Sequence, residues 1–158
     1  MWKKSRPDGY PCGWFNQELQ VLPELREFYL VDGTSLALQP GHRHSIDIDL
    51  FTRNEFITSD LIPILKARFT ESQIDFVGKK TSLSVINNIK VDFIHQPYNL
   101  VKQPITGEGI TYLSMEGIAA MKLQAIVNSG QRLKDPVDVY YLLEHFSIKD
   151  MLQFYEKK

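Results

Sequence analysis

Apolar positions along this chain follow two rhythms, period two and period 3.6, and the places where one gives way to the other mark the expected elements. Phe15, Leu19, Leu22 and Leu25 are spaced like one helix face, with Pro23 expected to bend or split the segment. Phe28 to Val31 then reads as a short buried strand, Thr34 to Gln39 as a short helix closed by Pro40-Gly41, and Ile46 to Phe51 as a second strand. Ser59 is positioned to cap a helix running to Phe69. Ile74 to Gly78, Ser82 to Ile86 and Ile89 to His95 predict a meander of short strands, the last two joined by a tight Asn87-Asn88 turn. From Met115 the rhythm is helical: Met115 to Asn128, Pro136 to Glu144, and a last helix to Tyr155 with Ser147 as its N-cap. The pattern predicts an α+β domain, a mixed sheet of about five strands flanked by helices and followed by C-terminal helices. Residues 1–14, with Pro7, Gly9, Pro11 and Gly13, lack periodicity and are expected to form an irregular lead-in. The domain would then span 15–158, with its sheet core near 28–95 and its helical part near 115–158.

Composition narrows the partners rather than the fold. With 158 residues, 43% hydrophobic and 23% charged, the chain has enough apolar side chains for one real core. A formal net charge of -1 supplies no global basic field, so any nucleic-acid contact must come from a local patch. Cys12 is the single cysteine, which excludes an intramolecular disulfide and a cysteine-rich zinc site and suits a reducing compartment. No His or basic residue near it in sequence would activate it as a nucleophile. The Met1-Trp-Lys-Lys start is followed by a polar, Pro/Gly-rich stretch where a signal peptide would be apolar, and no run reaches membrane-spanning length. A cytoplasmic protein without membrane partners is the expectation.

The chemistry concentrates between Val31 and Phe51. In a strand alternate side chains share a face, so Asp47 and Asp49 should point one way while Ile46, Ile48 and Leu50 point the other. Two carboxylates on one face of a buried strand call for a cation or hydrogen-bond donors. Gly33-Thr34-Ser35, between a strand and a helix, offers backbone N–H groups and hydroxyls to phosphate oxygens, although most Gly-Thr pairs after strands are only turns and caps. Together, a phosphate cradle and an acidic strand face are what magnesium-assisted phosphoryl or nucleotidyl transfer requires. Asp92 shares a face with Lys90 and Ile94; should its strand neighbour the first acidic one, it adds a third carboxylate as metal ligand or general base, and otherwise it is a solvent-facing aspartate.

Lys122 falls on the apolar stripe of Met115, Ile118, Ala119, Ala125 and Ile126, and so requires an anionic partner, either a bound phosphate or a structural carboxylate. Asp135 and Asp138 share a face at the start of the next helix, where capping before Pro136 competes with a catalytic role. Arg43, between His42 and His44, suits a phosphate or an ion pair with the aspartates. A zinc site from His42, His44, Asp47 and Asp49 is the rival reading, weakened by irregular loop-to-strand geometry and the lack of a supporting cysteine. His95 and His145 are expected to be packing or surface residues.

These blocks resemble the AbiEii/AbiGii-type nucleotidyltransferases, toxins of bacterial toxin–antitoxin and phage-abortive systems within the polymerase-beta-like superfamily. FYLVDGTSLAL is similar to the family's strand, Gly-Gly-Thr and helix, and HRHSIDIDLF to its His-Arg-x-Ser-x-Asp-x-Asp block. MEGIAAMKLQAI and LKDPVDVYYLL are similar to its late lysine helix and basic-Asp-x-x-Asp motif. The resemblance implies Gly33, Thr34 and Ser35 on the triphosphate, Asp47 and Asp49 on two magnesium ions, Lys122 on a phosphate, and Asp135 as a catalytic or orienting carboxylate. It further implies a nucleoside triphosphate as substrate, a tRNA end or protein hydroxyl as acceptor, and a cognate antitoxin. Asp32 stands where the family has the first glycine of its pair. A carboxylate there repels a triphosphate unless it points away, so a catalytically weak protein that acts by binding a partner is the alternative.

Overall fold

The computed structural model describes residues 11–39, 45–78, 81–129 and 134–158. Helix α1 (Pro11–Gln20) is followed by a 3-10 turn at Pro23–Leu25, then β1 (Tyr29–Leu30), α2 (Asp32–Leu38), β2 (Ile48–Thr52) and α3 (Thr58–Arg68). Next come β3 (Ser72–Val77), β4 (Thr81–Ile86), β5 (Ile89–His95) and a hairpin of β6 (Ile105–Gly107) and β7 (Ile110–Tyr112). Helices α4 (Met115–Ser129), α5 (Lys134–Leu143) and α6 (Ile148–Lys157) complete the chain. The strands form one mixed sheet in the order β3-β4-β5-β2-β1-β7-β6, with β5 parallel to β2, β7 parallel to β1, and the other neighbours antiparallel.

Alternation along the strands sorts side chains into two layers. Leu30, Ile48, Leu50, Val91 and Phe93 pack on one face with Phe15 and Leu19 of α1 and with Leu61 and Leu65 of α3. Edge-to-face rings reinforce this layer, Phe15 against Phe69 at 5.2 Å and Phe28 against Phe93 at 5.7 Å between centroids. Tyr29, Val31 and Phe51 face the other way, toward Leu36 of α2, Ile118 and Ala119 of α4, Leu142 of α5 and Met151 of α6. Asp49 and Asp92 also lie on this second side, where β1 ends and β2 begins.

Several expectations are corrected. The sheet has seven strands rather than about five, because β6 and β7, joined by a turn at Glu108-Gly109 (φ 52° and 78°), have three residues each, too few for a period-two pattern. Pro11 to Trp14, assigned to the lead-in, are helical, Pro11 opening α1 as a first-turn proline can. Helix α3 starts at Thr58 with no side-chain cap, so Ser59 is not its N-cap. Ile46 is 67% exposed because β2 starts only at Ile48. Other local readings hold: the Asn87-Asn88 turn has both residues at positive φ, 50° and 61°, and Ser147 caps α6 in a reciprocal capping box with Asp150. Asn and Asp tolerate the left-handed region better than other residues with a Cβ, as does Asp32 at φ 60°.

Candidate functional site

Residues after β1 and before β2 meet because the two strands are antiparallel neighbours, tied at their ends by the Val31 N–H donating to the Asp49 carbonyl at 2.9 Å. The parallel pairing of β2 with β5 then sets Asp49 opposite Asp92 in register. Adjacent strands lie about 4.8 Å apart, so the expected third carboxylate does reach the first acidic strand. Asp92 is 5% exposed and accepts an ion pair from Lys90 at 3.0 Å through Oδ2, while its buried Oδ1 has no hydrogen-bond partner.

Burial pushes the Asp49 carboxyl up to about 7, and the neighbouring Asp32, Asp92 and Asp47 charges add to the rise while Lys90 opposes it. Three neighbouring aspartates thus act on Asp49 at this edge. Among the described residues, no group of three or more His, Cys, Asp or Glu side chains is gathered closely enough to hold a metal ion by itself. The expected set of Asp47, Asp49 and Asp92 is thus not gathered as a ready-made metal cluster in this structure. The hard oxygen donors, the orphaned Asp92 oxygen and the raised Asp49 carboxyl fit magnesium.

Helix α4 delivers Lys122 to the same edge with its side chain 3% exposed. Its ammonium pairs with Asp32 and, at 2.9 Å, with Asp138, whose side chain is fully buried. Of the two kinds of partner expected for Lys122, the structural carboxylate is therefore present, with Asp32 and Asp138 both paired to it. Sequence spacing does not distinguish Asp138 from Asp135, which only the family resemblance singles out; the buried lysine on the neighbouring helix selects Asp138. Asp135 lies in the first turn of α5, and its side chain is outside the described residues. So are His42, Arg43 and His44, and with them the expected cationic cluster and the zinc alternative.

The Thr34 and Ser35 hydroxyls do not face an open cradle. Thr34 is 2% exposed and its Oγ1 engages Ser45 Oγ at 2.7 Å and the Asp47 carbonyl; Ser35 Oγ donates to the Leu113 carbonyl at 3.1 Å. Both hydroxyls bind α2 to its neighbours. Gly33 is buried in the same turn. His145 packs against Tyr141, with 4.8 Å between ring centroids, and His95 lies at the opposite end of β5 from Lys90.

A mixed sheet with carboxylates on adjacent strands beside a strand-to-helix turn defines a nucleotidyltransferase fold, and solved structures agree. The chain is similar to the antibiotic-resistance factor ANT(2'')-Ia, at 13% identity with a TM-score of 0.67, covering 90% of this chain and 89% of that one. It is also similar to the Megavirus polyadenylate synthase, at 14% identity with a TM-score of 0.60, covering 89% of this chain but 32% of that one. The model of the family "Nucleotidyl transferase AbiEii toxin, Type IV TA system" matches residues 19–157, and the chain belongs to that family. An uncharacterized protein of Aquifex aeolicus (strain VF5), aq_aa25, is 29% identical over 142 residues, 84% of this chain. The chain spans 66% of that relative's length. Among the described residues no helix is long and apolar enough to cross a membrane.

Proposed function

We propose that this chain moves a nucleoside monophosphate from a nucleoside triphosphate to an acceptor hydroxyl with the help of magnesium, and acts as the toxin of a toxin–antitoxin pair. The observation that carries the reading is the in-register pairing of Asp49 with Asp92, one carboxyl pushed up to about 7 and the other left with an unpartnered buried oxygen. Mutually repelling carboxylates are retained at such a site when a cation offsets them.

Asp47 and Asp49 would hold two magnesium ions, with Asp92 completing their ligands or drawing the proton from the acceptor hydroxyl. Bound magnesium would supply Lewis acidity, lowering the acceptor's pKa and neutralising charge on the departing pyrophosphate. Lys122 would meet a phosphate, and the backbone around Gly33, Thr34 and Ser35, together with Arg43, would flank the triphosphate. Asp135 would orient the lysine helix or the acceptor. A tRNA end or a protein hydroxyl is the acceptor in this reading, and a cognate antitoxin the partner.

One observation favours a second reading, a catalytically weak protein that works by binding a partner: the ion pair of Asp32 with Lys122 occupies the cation that a phosphate would use. Transfer of label from each of the four alpha-labelled nucleoside triphosphates, with magnesium, onto total tRNA and onto protein separates the two. Label that disappears in an Asp47→Ala plus Asp49→Ala protein supports the enzyme and names base and acceptor class. Absence of label with every triphosphate and both acceptors supports the binding protein.

A further inference from the structure

The two carboxylates on Lys122 are not equivalent. Asp138 is fully buried on α5, whereas the Asp32 side chain is 27% exposed at the head of α2, on a residue held at φ 60°. An aspartate is strained at a left-handed position where glycine is not, so its carboxylate contact is part of what keeps that conformation populated. An ammonium has three donor directions on one point charge, and an entering phosphate competes best for the one whose present acceptor can move into solvent.

We propose that Asp32 is a latch on Lys122: without substrate it closes the lysine's outer side, and a triphosphate binds by taking over that side while Asp138 keeps the ammonium in place. The inference rests on the reading that Lys122 serves a substrate phosphate. Asp138 is then a positioning residue, and Asp32 sets how tightly the site takes any polyphosphate. Displacing Asp32 lowers affinity by the strength of the pair that is given up, and no covalent step is involved.

The test uses inorganic tripolyphosphate with magnesium as the probe, titrated calorimetrically. Asp32→Asn should bind it about tenfold more tightly than the unmodified protein, within the usual range of coupling between two sites. The gain should vanish in a Lys122→Met plus Asp138→Asn background, which removes the buried ion pair without leaving a lone charge. Equal or weaker binding by Asp32→Asn overturns the latch. So does a gain that persists without Lys122, which would be plain repulsion, and so does a lack of binding by either protein. A second measurement needs no lysine variant: trace acetylation of Lys122 should rise in Asp32→Asn and fall again with tripolyphosphate, and an unchanged labelling rate contradicts the proposal. The label-transfer assay keeps the two readings apart. Nucleotidyl transfer with no change in tripolyphosphate affinity leaves the enzyme and removes the latch, whereas a working latch without transfer leaves a polyphosphate site and removes the enzyme.

Discussion

The two faces of the sheet are built from the same strands and do opposite things. On the first, Leu30, Ile48, Leu50, Val91 and Phe93 meet α1 and α3 through hydrocarbon and aromatic rings, and all five are 0% exposed. On the second, the apolar layer of Tyr29, Val31 and Ile118 gives way to Asp49 and Asp92 on the strands and to Asp32, Lys122 and Asp138 on the helices beside them. Burial stabilises the first face and strains the second, because removing unbalanced carboxylates from water is unfavourable. The comparison teaches that the α1/α3 layer supplies the stability that the charged edge consumes.

The sharpest way to break the contrast is Asp49→Asn. It should reduce label transfer by about a thousandfold, as loss of a group acting on transition-state charge does, while leaving the fold at least as stable at pH 8. The sign follows from the raised carboxyl: its folded value, about 7, lies above the usual 3.8, so ionising it opposes folding. Stability from this group is fully present below its unfolded pKa near 4 and is lost as pH rises through about 7. Urea midpoints at pH 6 and pH 8.5 should therefore differ more for the unmodified protein than for Asp49→Asn, and equal slopes would contradict the assignment. Added magnesium should reduce the alkaline loss.

On the first face, Phe93→Ala should cost about 3–5 kcal/mol, because it opens a cavity against Phe28 with no water or charge to fill it. Denaturant unfolding measures this, and a cost below about 1 kcal/mol would mean that the layer is loosely packed. Lys122→Met should cost about as much for a different reason, removing the cation paired with the buried Asp138; adding Asp138→Asn should recover much of the loss, a coupling that Phe93→Ala lacks. The smallest effect is expected away from both faces. Ser147→Ala should remove about 1 kcal/mol by opening the capping box of α6, without changing nucleotide binding.

Legibility in the sequence followed the range of the interaction. Ser147 with Asp150, and the Asn87-Asn88 turn, depend on residues within a few positions, and both were readable. The β6-β7 hairpin was not, since three residues are too few for periodicity to register. At the site, the aspartates and Lys122 stood out by type and position. What they touch did not: Thr34 and Ser35, which by sequence could serve a phosphate, spend their hydroxyls on Ser45, Asp47 and Leu113.

By itself the amino-acid order determined the longer strands and helices, the alternation that turns Ile48 and Leu50 inward, and that Lys122 must find an anion, because backbone sterics and side-chain alternation act over a few residues. Only the tertiary structure decided that Asp49 stands beside Asp92 and that Lys122 lies between Asp32 and Asp138. Those meetings depend on the order of strands in the sheet and the docking of α4 and α5 against it, which bring together side chains far apart along the chain.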